Sequence, residues 1–337
     1  MTRLLLGIDA GNSKTWAMAG DMSGRFLGWG KGPRGNHQAR EVGVAGAVEA
    51  FATAVEGALA QAGARIEEVA RASFCLAGAD LPSDYELLGS AIHVHWPSLS
   101  FSVHNDSIAG LRSGTSRGWG AVVVCGTGTN AVGRGRDGRE VQVGGLGYLD
   151  GDYGGGGDLG RDAVRASFQA AFGRGRETAL LPMVLAALGQ PSADAFRDAI
   201  YQEALRPGYV LDLAPLVFNA ANEGDEVAQE ILIHMGTELG KAGGAALKAV
   251  ELDQADGAEV VLSGSVWKGK SPLLIDAFRL SLHRTAPRAV HVRPRYEPVV
   301  GAYLLALEFA AGQVGPSEVA NLEASLPDSL RIRSEEV

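Results

Sequence analysis

Three short, largely apolar stretches stand at the start of the chain, 3–8, 15–19 and 25–30. They read as three strands, joined by a Gly-Asn-Ser turn and by Met22-Ser23-Gly24. A helix is expected next, because Val44, Val48, Phe51, Val55 and Leu59 recur at helical spacing and Gly63 is placed to stop the helix. A strand over 72–77, a helix over 83–92, a strand over 99–103 and a short helix opening at Asp106 follow. The order then starts again. Strands over 120–125, 130–133 and 140–143 are joined by Gly126-Thr127-Gly128-Thr129 and by the turn Asp137-Gly138. Helical segments fill 158–250, followed by a strand over 259–262, a helix over 272–283, a strand over 289–292 and a helix over 298–311.

Both halves thus read βββαβαβα, the second with a long helical insertion. The expected fold class is α/β, with two similar domains over 1–115 and 116–312 flanking a ligand cleft. The last helix of the second could pack back on the first. Residues 313–337 carry scattered charge and little apolar periodicity, which predicts a loosely held tail.

Composition narrows the function classes. Of 337 residues, 46% are hydrophobic and 20% charged, the balance of a globular chain. Apolar runs are interrupted by charge or glycine before ~18 residues, so no membrane span or membrane partner is expected, and a cytoplasmic protein is the default. A formal charge of −9 argues against nucleic acid, which needs a concentrated basic face. Cys75 and Cys125 are the only cysteines and lie in strand-like runs, so a disulfide framework or cysteine-rich zinc site is excluded. The 47 glycines, about twice the usual ~7% share, cluster at 7–11, 28–35, 126–138, 144–160 and 264–269. Repeated strand-to-glycine junctions suggest a cleft lined by main-chain N–H groups.

Two junctions carry phosphate-binding chemistry. In DAGNSKT, Gly11, Asn12, Ser13, Lys14 and Thr15 form a tight turn that can aim amides and hydroxyls at one anion, and Asp9 could hold magnesium through water. An ordinary hairpin with a polar tip is the alternative. Gly126, Thr127, Gly128, Thr129 and Asn130 occupy the equivalent place in the second half, and two such loops could clamp the phosphates of ATP. Asp106 stands where a helix begins, as an N-cap, as a general base for an attacking hydroxyl, or as both. GGLGYLDGDYGGGGDLG, at 144–160, reads as a linker or as a ligand loop with Asp150, Asp152 and Asp158 as hydroxyl acceptors. GSVWKGKS, at 264–271, satisfies the Walker A spacing, but no hydrophobic run ending in Asp follows it. His93 and His95 alternate as on one strand and could share a metal with His104; without a supporting carboxylate or thiol they read as surface histidines.

With DAGNSKT, HNDS after a strand, CGTGTN, GGLGYLDGD and VVLSGSVWKG in that order, the chain resembles the N-acetylglucosamine kinases of the BadF/BcrA-type ATPase group. The resemblance runs from about residue 4 to 310. It implies actin-like (ribonuclease H-like) domains, ATP and Mg²⁺ as cofactors, and transfer of the γ-phosphate to the 6-hydroxyl of N-acetylglucosamine or glucosamine with Asp106 as base. It puts the sugar on Asn36, Asp106, Gly145, Leu146 and Asp152, the adenosine side on Gly264, Ser265 and Val266, and Ala221 on a helix flanking the nucleotide. Under it the Walker A match is a chance overlap.

Three departures stand out. Tyr153 and Gly155 replace the acid and hydroxyl of the family's GDEGS, Leu146 stands where Trp is common, and Ala77-Gly78-Ala79 replaces a frequent Ser-Gly-Gly. They leave the acceptor open among amino sugars. The rivals are an activator of a radical dehydratase, which would need cysteines for a shared iron–sulfur cluster, and a non-catalytic sugar sensor. A homodimer, the anomer and the pathway stay open.

Overall fold

The sheet of the first unit is built from β1 (Leu4–Ala10), β2 (Thr15–Asp21), β3 (Phe26–Gly32), β4 (Val69–Leu76) and β5 (Phe101–Asn105), in the order β3-β2-β1-β4-β5. β1 runs antiparallel to β2 and parallel to β4, and β4 runs parallel to β5. The second sheet repeats this order with β6 (Gly120–Cys125), β7 (Thr129–Arg134), β8 (Glu140–Val143), β9 (Glu259–Ser263) and β10 (Val290–Val292), as β10-β9-β6-β7-β8. The repeat read from the pattern is therefore present in both sheets. This computed structural model describes residues 3–147, 149 and 151–332.

Two compact units result. One comprises the described residues up to Trp119 and those from Val292 onward, and the other runs from Gly120 to His291. The period of two along β1 decides what each face of the first sheet meets. Leu4, Leu6 and Ile8 enter a core with α1 (Gly43–Ala62), α2 (Pro82–His95) and the neighbouring strands, through Phe51, Phe74 and Leu88. Leu5 faces the other way, into a core with Tyr303 and Leu304 of α10 (Pro298–Ala311). Asp9 shares Leu5's side of the strand.

Close backbone contacts, more than side-chain volume, set this packing. A Cβ at Gly28, Gly30 or Gly32 would stand 2.2–2.5 Å from the carbonyl oxygens of Ala58, Ala54 and Ala50. These β3 glycines let α1 lie directly on the strand, so they serve helix packing and not the ligand cleft expected from their clustering. The same α1, 20 residues long, is apolar enough to pass for a membrane span, contrary to the sequence expectation; its buried face, including Ala47, Phe51 and Ala58, belongs to the core.

Residues 313–332 also depart from expectation. α11 (Pro316–Ser325) folds on the first unit, with Leu322, Leu326 and Leu330 buried beside Trp16 and Tyr303. Three leucines spaced by four are a helical signal that the surrounding charge obscured. His93 and His95 lie on α2, not on a strand. In the second unit the insertion resolves into α4 (Gly156–Ala171), α5 (Leu180–Ala187), α6 (Ala193–Tyr201), a 3₁₀ turn at Tyr209–Leu213, α7 (Ala214–Asn222) and α8 (Glu226–Ala249), and α9 (Pro272–Thr285) packs along α8.

α3 (Asp106–Gly114) meets α10 where a Cβ on Gly301 would lie 2.0 Å from the Ala109 carbonyl oxygen. Gly301→Ala should therefore force the helices apart and cost about 1–3 kcal/mol, roughly 2–4 °C in melting temperature per kcal/mol for units of this size. Calorimetry showing an unchanged melting temperature would mean that the two helices are not in close contact.

Candidate active site

In the first unit the parallel strands β1, β4 and β5 end on one edge, the place where open α/β sheets bind ligands. Asn105 closes β5 and caps α3, its side-chain oxygen accepting from the Ser107 amide at 3.0 Å. Its amide nitrogen donates to the Asp80 carboxylate at 2.9 Å, tying the helix start to the loop after β4. The cap expected of Asp106 thus belongs to Asn105, and Asp106 is the first helical residue. Burial pushes the Asp106 carboxyl up to about 6, with Asp80 adding repulsion and the Ser107 amide and hydroxyl opposing it. Burial also raises Asp9 to about 8, helped by Asp106 and Glu297 and opposed by Lys14. Asp9 is therefore within electrostatic reach of both Asp106 and Glu297.

The DAGNSKT turn is closed by a Gly11 amide to Lys14 carbonyl bond of 2.9 Å, leaving Asn12, Ser13 and Lys14 exposed. Thr15 is different. It is wholly buried at the start of β2, so it sits beneath the turn, not at its polar tip. Asn36 donates to the Asn12 side chain at 2.7 Å and accepts from the Gln38 amide, and Gln38 reaches the Gly78 carbonyl. Two predicted groups, the phosphate turn and the sugar loop, are thereby brought together.

In the second unit the turn after β6 is closed by a Gly126 amide to Gly128 carbonyl bond, with Thr127 and Gly128 exposed. Thr129 donates its hydroxyl to the Val124 carbonyl, which stiffens the turn. The chain at 154–157 lies against it: the Gly156 amide donates to the Gly126 carbonyl at 2.7 Å and the Gly157 amide to that of Thr127 at 3.0 Å. Gly155 has φ +102°, and a Cβ there would stand 2.6 Å from the Gly128 Cα. Asp158 accepts from the Gly154 amide and pairs with Arg161 at 2.6 Å. Asp152 accepts from the Leu146 and Gly147 amides at 2.6 and 2.8 Å and so shapes its own loop.

Two cavities flank this turn. One, about 690 Å³, is lined by Thr127–Thr129, Leu146, Asp152 and Asp158 among others. The other, about 480 Å³, is lined by Gly126, Thr127, Ala214, Phe218, Asn219, Ser265 and Val266 among others. Gly264 packs on the Cys125 backbone, and the Trp267 indole donates to the Val123 carbonyl, which fixes the 264–268 turn beside the second cavity.

The sequence pattern of the BadF/BadG/BcrA/BcrD ATPase family matches residues 6–306. The chain belongs to that family. An N-acetyl-D-glucosamine kinase of Dictyostelium discoideum is 30% identical over 314 residues, covering 90% of this chain and 98% of the relative. An N-acetylmuramic acid/N-acetylglucosamine kinase of Clostridium acetobutylicum is 27% identical, with 90% and 98% covered. Among solved structures, a Chromobacterium violaceum protein named as a candidate N-acetylglucosamine kinase superposes with a TM-score of 0.65 at 24% identity, covering 90% of this chain and 99% of that one. A ROK family glucokinase from Streptomyces griseus gives 0.52 at 21%, covering 90% and 99%. These structural likenesses show the fold, which is that of the actin-like sugar kinases.

The departures from the family's motifs acquire physical reasons. A side chain at Gly155 would strike the Thr127–Gly128 backbone, so the missing hydroxyl there is a packing requirement. Tyr153 donates its hydroxyl to Asp162 on α4 and packs at a tilt against His234 on α8, with ring centroids 4.5 Å apart and planes 46° apart. It anchors the family loop from behind. Ala221 is 3% exposed and lies inside α7, whose cavity wall is made instead by Ala214, Phe218 and Asn219. Gly145 leans on Gln142 and Asn130, while Leu146 is exposed. Asp150 falls outside the described residues. In GSVWKGKS, Ser265–Lys268 is a 3₁₀ turn and α9 starts only at Pro272, so Lys270 does not open a helix. Among the described residues no group of three or more His, Cys, Asp or Glu side chains could hold a metal. Sequence reasoning missed Asn105, Asp80, Glu297 and Arg161, each beside a motif it did find.

The raised Asp106 value fixes a stability signature. The unfolded carboxyl titrates near 3.8 and the folded one near 6, so the folded chain holds more protons between those values and loses stability as pH rises through them. Asp106→Asn removes this penalty, which is full above pH 6. The variant should melt higher than the parent at pH 8, by a margin that shrinks at pH 5. A lower melting temperature at pH 8 would show that the carboxylate stabilises the fold.

Proposed function

We propose that the chain is an ATP-dependent amino-sugar kinase that transfers the γ-phosphate to the 6-hydroxyl of N-acetylglucosamine or glucosamine, a cytoplasmic activity. The observation that carries this is Asp106: a carboxylate at the C-terminal edge of the first sheet, held by its neighbours and not used as a helix cap, with a carboxyl near 6. Ionised at neutral pH and more basic than an ordinary Asp, it suits the acceptance of a hydroxyl proton. The hydroxyl oxygen bonds to the γ-phosphorus, the bond from that phosphorus to the β-bridging oxygen breaks, ADP leaves, and the proton passes to Asp106.

The 480 Å³ cavity is the proposed adenosine site, with Ser265, Val266 and Asn219 on its walls. The turns at Gly11–Lys14 and Gly126–Gly128 are each proposed to meet phosphate through exposed amides and hydroxyls. Asn36, Leu146 and Asp152 are the proposed acceptor contacts. Magnesium fits Asp9, whose carboxyl, held up to about 8 by burial and by the charges of Asp106 and Glu297, would ionise beside a cation. Such an ion is ordinarily shared between one or two carboxylates and substrate phosphates, and it would neutralise phosphate charge. The dehydratase-activator reading has less support: Cys75 and Cys125 are both wholly buried and lie in strands of different units.

Asp106→Asn should lower kcat about 10²- to 10⁴-fold while the nucleotide still binds, and the parent's rate should fall on an acidic limb near pH 6. Steady-state kinetics with a sugar panel and calorimetric ADP titration check both; near-normal turnover by the variant would overturn the base assignment. Lys270→Ala discriminates the nucleotide site. If GSVWKGKS were a P-loop, its turnover would collapse, whereas an exposed lysine on the rim of the adenosine cavity can shift the KM for ATP but should leave kcat within roughly threefold. Asn219→Trp, which fills the cavity from an exposed position, should raise the KM for ATP and leave the KM for sugar.

A further inference from the structure

The larger cavity of the second unit is lined by two kinds of groups. Thr127, Gly128 and Thr129 supply polar backbone and hydroxyls, while Leu146, Leu149, Val210 and Leu211 supply aliphatic side chains. Three of these four are held out of the core, Leu146 at 73%, Leu149 at 92% and Leu211 at 38% exposure. Exposed aliphatics gathered around one cavity call for an apolar occupant, which a bare hexosamine does not supply.

The charged groups of the cavity do not compete for this role. Asp158 is matched by Arg161 at 2.6 Å and by the Gly154 amide, and Asp152 by two amides of its own loop. The ring of Tyr153, which could have filled the space, is turned onto His234 and held by Asp162. Gly155 has no room for a side chain. Around 690 Å³ stays open beside the loop that carries Leu146 and Asp152.

We propose that this cavity receives an apolar substituent of the acceptor, and that the preferred acceptors are glucosamines whose N-acyl chain is longer than acetyl. This rests on the amino-sugar kinase reading, which places Leu146 and Asp152 at the acceptor. A hexosamine offers its amide nitrogen as the point of attachment, and each methylene laid against aliphatic wall leaves water.

The test uses the whole protein, ATP and a series of N-acetyl, N-propionyl, N-butyryl and N-hexanoyl glucosamine. kcat/KM should rise roughly threefold per added methylene as far as butyryl, through KM, because a buried methylene strengthens binding by about that factor. Leu149→Ser changes only an exposed side chain, so folding is not at stake; it should lower the ratio of butyryl to acetyl kcat/KM by about threefold. A fall already at propionyl, or an unchanged ratio in Leu149→Ser, overturns the inference and leaves the kinase reading standing. Better use of hexyl glycosides than of N-acyl chains also overturns it, by placing the apolar group at the anomeric carbon. Transfer to none of these amino sugars would overturn both readings.

Discussion

The seat of α10 is the constraint on which the first unit's chemistry depends. A Cβ on Gly7 would lie 2.0 Å from the Tyr303 amide nitrogen, and one on Gly301 would lie 2.0 Å from the Ala109 carbonyl oxygen. The helix therefore touches β1 and α3 backbone to backbone, at distances no other residue type permits. Farther along, the nearly buried Arg112 binds Glu308 at 2.6 Å and the Thr115 carbonyl, joining α3 to α10 a second time. A buried pair of this kind adds little net stability, but breaking it is expensive, so it specifies one register. Asp9, Asp106 and Glu297 stand at the ends of the three elements so joined. The repulsion of Asp9 by the other two is a consequence of packing fixed elsewhere.

The second unit reaches a comparable result by other means. Gly264 packs on the Cys125 backbone, and Gly155 packs on Gly128 from another direction. The turn after β6 is thus clamped between two glycine contacts and braced by the Thr129 hydroxyl. Its backbone is held by the fold itself. The Tyr153 ring, held on α4 and α8, does the same for the loop that follows β8.

Much of this was legible in the sequence, for physical reasons. Short apolar runs and helical periods gave both sheets because the central strands are largely apolar, β1 being buried on both faces by Leu4, Leu6 and Ile8 on one side and Leu5 on the other. Glycine positions were legible, but their use was not. The row Gly28, Gly30, Gly32 and the turn Gly126–Gly128 look alike in composition, yet one admits a helix and the other faces solvent. Asp106 was singled out, while the cap belongs to Asn105, one residue earlier in HNDS, because Asp and Asn cap equally well and sequence does not choose between adjacent residues; Asp80, in the loop after β4, is linked to α3 by no local spacing. The helix at 316–325 was missed because its apolar face is only one leucine wide and meets the core through long-range contacts with Trp16 and Tyr303.

The same packing accounts for the raised Asp106 carboxyl. An isolated Asp on a solvated loop titrates near 3.8 and is too weak a base to compete well for a hydroxyl proton. Raising it requires taking the carboxylate from water, and the folded chain bears that penalty at every pH where the group is ionised. Relaxation would relieve it: a small shift of α3 would hydrate Asp106 and restore its ordinary value. Gly301 against Ala109 and Arg112 against Glu308 prevent that shift. The rigidity of a helix contact remote from any ligand is therefore converted into basicity at the end of the helix. A substitution that loosened the contact would change the Asp106 carboxyl before it changed the fold.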